Sequence, residues 1–257
     1  MQAVVTALAT TAVKSTRLRP VQQIVLGPGG AHGDRRFFLI DSRDRMVNAK
    51  RVGELPAIVA DYDEATGTLA LTFPDGRIVE DRVEPGEAVS ARFTSITVEG
   101  RVVPGRLSEA LSDFTGRSLR LVEPSVAGVD RGVRGAASLI SRASLARLAK
   151  VAGEPDVDAR RFRMLIEIDG IGAHEEDRWV GSVVEVGEVR LRFLGHVGRC
   201  LITSRDPDTG TIDLPTLDVL GSYRRGLRST EPLPFGIYGE VLREGTIAVG
   251  DPVAPVD

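Results

Sequence analysis

The chain has 257 residues, 28 of them glycine, with 5% aromatic side chains and one cysteine. That length supports one large or two modest domains, and a lone cysteine excludes an intramolecular disulfide framework, a four-cysteine zinc site and a self-contained iron–sulfur cluster. A formal net charge of -3 argues against a nucleic-acid binder that works by counterion release.

The first segment, Met1 to Val13, is mildly apolar but carries no basic leader and no cleavage signature. No apolar run approaches the roughly 18 residues needed to span a bilayer. With a single thiol, a reducing, cytoplasmic setting is expected, with neither nucleic acid nor membrane as partner. Short runs rich in Val, Ile and Leu, separated by Gly, Pro and Asp, predict strands at Val4 to Ala12, Gln22 to Leu26, Phe37 to Asp41, Ile58 to Tyr62, Thr68 to Phe73 and Arg77 to Glu80. Pro74-Asp75-Gly76 marks a hairpin-type turn between the last two. Leu107, Ala110, Leu111 and Phe114 recur at helical spacing and predict an amphipathic helix over Ser108 to Thr115, followed by a strand at Leu119 to Val122.

Pro124 to Ala137 is Gly-rich and basic and reads as a linker or long loop. Ser141 to Lys150 follows as a helix with Leu145, Leu148 and Val151 on one face and Gly153 beyond its end. Further strands are predicted at Phe162 to Ile168, Ser182 to Val186, Val189 to Leu194, Gly236 to Val241 and Thr246 to Val249, with a helical turn or two at Pro215 to Leu220. The assembly expected is a β-rich α+β protein of two lobes, in which barrel closure removes open sheet edges.

The chemistry concentrates where the strand Val189 to Leu194 runs into Gly195-His196-Val197-Gly198-Arg199-Cys200 and Asp206-Pro207-Asp208-Thr209-Gly210. A thiolate is the nucleophilic and metal-binding form of cysteine, and positive charge such as Arg199 favours it. Free cysteine is equally a small buried hydrophobe, so the local sequence leaves a core role open. His196 pairs with Cys200 as a second ligand or a base, or else is a core histidine. Trp179 reads as a packing residue and Phe235 to Val241 as a structural, barrel-closing strand. Gly27-Pro28-Gly29-Gly30 is too irregular for a dinucleotide or P-loop fingerprint. Cations gather at strand ends: Lys14 with Ser15, Arg35 and Arg36, Lys50 and Arg51, and Arg160, Arg161 and Arg163. Such groups are either a solvated surface or a converging anion site.

Ala12-Val13-Lys14-Ser15, Asp34-Arg35, Asn48-Ala49-Lys50, Arg199-Cys200, Asp206-Pro207-Asp208-Thr209-Gly210, Phe235-Gly236 and Gly245 to Asp251 together resemble the MOSC family. This is the molybdenum-cofactor sulfurase carboxy-terminal type, preceded by its amino-terminal β-barrel domain, as in bacterial two-domain MOSC proteins and the mitochondrial amidoxime-reducing component. The resemblance implies an amino-terminal domain over residues 1–123 and a MOSC domain over 124–257. It implies a molybdenum cofactor of the molybdopterin type, with Mo held by Cys200 and the organic part held by Lys14, Ser15, Arg35, Lys50, Arg163, Arg199 and Thr203. One position departs from the family, since Phe162-Arg163-Met164-Leu165 carries Leu165 where an asparagine is usual, which takes an amide away from the expected pocket.

The activity implied is reduction of small N-hydroxylated or related N-oxygenated compounds. Sulfur transfer through a Cys200 persulfide and non-catalytic carriage of the cofactor are the alternatives. With no second cysteine and no dinucleotide fingerprint, and with the chain ending seven residues after Gly250, electrons are expected from a separate redox protein of ferredoxin or cytochrome type.

Overall fold

The computed structural model describes residues 2–94, 96–126 and 132–256. Part of the expected linker, residues 127–131, lies outside them. Seven strands close into a barrel in the order Ile166–Asp169, Ala137–Ser141, Pro234–Arg243, Val189–Gly198, Val183–Val186, Pro252–Val256 and Ala3–Thr10, the last pairing back to the first. Only Ala137–Ser141 against Ile166–Asp169 is parallel. Closure removes the exposed edges that alternating apolar strands would otherwise present. Inward residues from every strand, among them Val5, Leu8, Leu139, Ile168, Val184, Leu191, Phe193 and Ile237, form one core, and Trp179 packs against it as expected.

The first strand does not stay with the amino-terminal lobe. Val4 pairs with Asp169 and Leu8 with Ile166, while Ala3 pairs with Val253, so both chain ends build the carboxy-terminal barrel. Gln23–Gly27 likewise pairs with Gly245–Ala248. These cross-lobe ladders carry the chain out of the barrel at Thr10 and deliver the next residues to the lobe boundary.

The amino-terminal lobe combines a five-stranded antiparallel sheet, containing Phe38–Ile40, Thr97–Val103 and Arg120–Pro124, with a three-stranded meander over Val59–Asp63, Thr68–Thr72 and Ile78–Arg82. Phe38, Leu39 and Ile40 are all buried. Leu39 faces one core with Leu69, Leu107 and Leu121, and Phe38 and Ile40 face a second with Val102 and Val122. A strand covered on both sides reads as a continuous apolar run. At the predicted hairpin, Gly76 takes φ 84° and Arg77 N donates to Asp75 Oδ1 at 3.0 Å.

The helix Arg106–Thr115 buries Leu107, Ala110 and Leu111 and stops at left-handed Gly116. Arg142–Ala152 starts at Ser141, whose hydroxyl accepts from Ser144 N, and ends at left-handed Gly153. The buried Glu176 carboxylate accepts from Ser141 Oγ at 2.9 Å and Ser144 Oγ at 2.6 Å, placing an acid at that helix's amino terminus. This helix and Thr216–Tyr223 pack outside the barrel through Leu145, Leu148, Leu220, Phe162 and Phe235. Among the described residues no helix is long and apolar enough to cross a membrane.

Candidate functional site

A cavity of about 470 Å³ opens between the lobes, within the size range of small-molecule sites. Its walls include Lys14, Ser15, Asp34, Arg35, Asn48, Lys50, Ser138, Arg163 and Cys200. Two backbone segments zip together to bring the first cations side by side. Arg35 N donates to Thr11 O at 2.6 Å, Phe37 N to Ala12 O at 3.0 Å and Lys14 N to Phe37 O at 2.7 Å. Asp34 Oδ1 accepts from Thr11 N at 2.9 Å, and its other oxygen pairs with Arg35.

Arg163 arrives from the opposite lobe. The short helix Ala159–Phe162, capped by Asp158, turns at Arg163 into the barrel strand. Ser15, Arg35 and Arg163 have φ of 80°, 49° and 54°, left-handed conformations that side-chain-bearing residues rarely adopt. Such strain gathers at ligand clamps, where the surrounding structure holds it. Arg35 Nη2 donates to the Arg163 carbonyl at 3.0 Å, and Arg163 Nη2 is buried with no hydrogen-bond partner among the described residues. Burial first, then Arg35 and Arg163, pull the Lys14 ammonium down to about 7. Burial and Arg35 lower Arg163 as well. Among the described residues, Asp34 is the carboxylate whose charge acts on these cations.

Cys200 is exposed, which settles its local sequence ambiguity against a core role. It sits where the strand Val189–Gly198 gives way to the short helix Leu201–Ser204, and its side chain lines the same cavity. Two residues expected at the cofactor, Arg199 and Thr203, are buried beside the cysteine loop. Arg199 is buried and absent from the cavity wall: its Nε donates to Phe235 O at 2.8 Å, Nη1 to Phe162 O at 2.8 Å and Nη2 to Met164 Sδ at 3.0 Å, with the guanidinium over the Phe162 ring. The arginine ties the cysteine loop to the segment that carries Arg163. Thr203 is also buried and off the wall, its amide and hydroxyl both donating to Cys200 O at 3.0 Å. These two bonds fix the cysteine backbone.

His196 does not pair with Cys200. It is buried, with Nε2 3.4 Å from Asp177 Oδ1, while Asp177 Oδ2 accepts from Arg224 Nη2 at 2.7 Å and Arg224 Nε donates to Pro234 O at 3.0 Å. Burial lowers the His196 pKa, as befits a neutral core imidazole. Among the described residues no group of three or more His, Cys, Asp or Glu could hold a metal on its own.

Several wall residues escaped the sequence reading. Gly29, Gly30 and Ala31 line the cavity although their glycine run matches no phosphate-loop fingerprint, and Tyr238 lines it from a strand expected to be structural. Ser138 and Tyr238 are register partners on adjacent strands, a pairing invisible in sequence. Leu165, at the usual asparagine position, is only 3% exposed and belongs to the barrel core. Its amide donates to Ser138 Oγ at 3.0 Å, which brings a hydroxyl to that part of the wall.

A closed barrel joined to a second β lobe sets an accessible thiol on a cleft lined by cations of both. The MOSC domain matches residues 128–254 and the MOSC N-terminal beta barrel domain residues 2–118. Mitochondrial amidoxime reducing component 2 of Bos taurus is 38% identical, the match covering 89% of this chain and 75% of that protein. Mitochondrial amidoxime-reducing component 1 of Homo sapiens is 30% identical over 86% of this chain and 72% of its own length. The chain belongs to the MOSC family in its two-domain form. The crystal structure of the YUAD protein from Bacillus subtilis shares the fold over 98% of this chain and 94% of its own, with a TM-score of 0.50 and 14% identity.

Proposed function

We propose that this protein is a molybdenum-cofactor-dependent reductase of N-hydroxylated and related N-oxygenated small molecules. The observation that carries the reading is the convergence of Lys14, Arg35 and Arg163 with the exposed Cys200 on one cavity. The residues fit such a group: an accessible soft sulfur for a high-valent metal, buried cations for a phosphate, and an unpartnered Arg163 Nη2. Lys14, Ser15, Arg35 and Arg163 would hold the organic part, with Lys50 at the exposed rim, and Cys200 would hold Mo.

When bound, the cofactor supplies the two-electron oxygen-atom chemistry. A hydroxylamine then takes up two electrons and two protons to give the amine and water. The chain's own part is to orient: Arg199 and Thr203 fix the Cys200 backbone, and Arg35 holds the Arg163 turn. Electrons would come from a separate redox protein, in keeping with the single cysteine.

Protein made in a cofactor-competent host should contain Mo and pterin in equal amounts. It should reduce an amidoxime with reduced viologen and not with NADH alone. Turnover by a Mo-free preparation would reject the reading, and full Mo occupancy without turnover under any reductant would favour a carrier role.

A further inference from the structure

We propose that Asp208 is a positioning residue that sets the geometry of the cation cluster by clamping Arg160 and Arg17 from outside the cavity. The proposal rests on the reading of the cavity as an anion site. Asp208 is not on the cavity wall, yet its carboxylate meets both backbone segments that deliver cations to it. Arg160 donates in two-pronged fashion, Nη1 to Oδ1 at 2.9 Å and Nη2 to Oδ2 at 2.8 Å. Arg17 places Nη1 3.3 Å from the same Oδ1, and its Nη2 donates to the Asp208 carbonyl at 3.2 Å.

Each partner lies three residues from a cavity cation. Arg160 O accepts from Arg163 N at 3.1 Å, so Arg160 is the first residue of the turn that holds Arg163 at φ 54°. Arg17 follows Lys14, and its amide donates to Ile58 O at 2.8 Å while Thr16 N donates to Val13 O at 3.2 Å. Arg17, Arg160, Arg163 and Asp206 border one small hollow behind the cavity. One carboxylate thereby couples a segment of each lobe.

The loop that presents Asp208 is held by its own bonds. Asp206 Oδ1 accepts from Asp208 N at 3.0 Å, Thr209 N at 2.7 Å and Thr209 Oγ1 at 2.9 Å. Gly210, at φ 75°, packs so closely on Gly53 that a Cβ would overlap Gly53 O, and Arg205 Nη1 donates to Gly210 O at 2.6 Å beside it. The loop is therefore docked on the amino-terminal lobe at Gly53. Arg160 and Asp208 are 36% and 46% exposed, so the pair adds little to global stability. Two-pronged arginine–carboxylate geometry fixes orientation, and orientation is what the strained Arg163 turn requires.

The test is calorimetric titration of the cofactor-free protein with inorganic phosphate, with Mo and pterin content after expression in a cofactor-competent host as a second readout. Lys14→Met and Arg163→Gln should each weaken phosphate binding about tenfold or more, as the loss of a charge-assisted hydrogen bond implies. Asp208→Asn should weaken it about three- to tenfold with the melting temperature nearly unchanged. Asp208→Glu should restore most of the affinity, a rescue that a merely structural role would not give. Should Asp208→Asn fail to fold, Arg17→Gln removes the amino-terminal half of the clamp and should weaken phosphate binding in the same direction. Wild-type phosphate affinity in the clamp variants, alongside loss in Lys14→Met and Arg163→Gln, would overturn the positioning role alone. Undiminished binding in Lys14→Met and Arg163→Gln would remove the anion-site reading, and this proposal with it.

Discussion

Arg35 donates from Nη2 to the main-chain carbonyl of Arg163 at 3.0 Å, so a cation from one lobe holds the strained turn that presents a cation from the other. The contact works against simple electrostatics, because it brings two guanidinium groups and Lys14 to one cavity, where Asp34 is the neighbouring carboxylate among the described residues. A cavity built this way crowds like charges, and a bound anion would relieve their repulsion.

Lys14 reads out that cost. Its pKa falls from 10.5 to about 7, with burial the main cause and Arg35 next. Between those values the unfolded chain binds more protons than the folded one, so the stability of cofactor-free protein should rise with pH through that window. Below about 7 the ammonium is charged in both states and the penalty is complete. Lys14→Met should therefore stabilise the empty protein near neutral pH, by on the order of 2 kcal/mol, and flatten the rise. Denaturant melts at several pH values measure both, and parallel pH profiles for the two proteins would contradict the assignment.

Arg199→Lys should cost stability in spite of conserving charge. One ammonium cannot reach Phe235 O, Phe162 O and Met164 Sδ together, and it leaves buried acceptors unbonded. A loss of about 2 to 4 kcal/mol follows, which is roughly 4 to 16 °C in melting temperature at this chain length. A variant melting within a degree of wild type would show that the guanidinium is not needed there.

Gly236 and Gly153 both have φ 76°, which makes them a controlled pair. A Cβ at Gly153 meets nothing within 4 Å, so Gly153→Ala should cost about 1 kcal/mol, the left-handed penalty alone. At Gly236 it would lie 2.8 Å from Met164 Cε and 2.9 Å from Leu139 O. The methionine can move aside, whereas the carbonyl belongs to a barrel strand. Gly236→Ala should thus cost about 1 to 3 kcal/mol more than Gly153→Ala. Equal losses by denaturant titration would show that the barrel yields at this point.

Much of this was legible in the chain because it is locally encoded. Turn residues such as Pro74-Asp75-Gly76 and the spacing of Leu107 and Leu111 announce their elements within a few residues. Lys14, Arg35, Lys50 and Arg163 are singled out by the family resemblance from a larger set of cations at strand ends; these four line the cavity, while Arg36, Arg51, Arg160 and Arg161 do not. Adjacency to Cys200 says nothing about direction for Arg199 or Thr203; carbonyls 36 and 37 residues away decide where the Arg199 guanidinium goes. Tyr238 and Gly29 to Ala31 reach the cavity through long-range pairing, and the strand Ala137–Ser141 is short enough to pass for the end of a linker. Non-local contacts of this kind leave no periodic signal.

Cys200→Ser separates the role of sulfur from that of the fold. Cys200 is exposed, and the bonds that hold its loop run through the Cys200 carbonyl to Thr203 and through the Arg199 amide to Pro232 O at 3.2 Å. None of these uses the thiol, so the variant should melt within about 0.5 kcal/mol of wild type, as surface substitutions do. A neutral hydroxyl is a far poorer ligand for a soft metal site than a thiolate, so Mo content should collapse and reductase activity with it. The cations remain, and inorganic phosphate should still bind with wild-type affinity. Loss of Mo with phosphate binding intact would assign the metal to sulfur and the anion to Lys14, Arg35 and Arg163; stoichiometric Mo and undiminished turnover in the serine variant would take the metal away from Cys200 altogether.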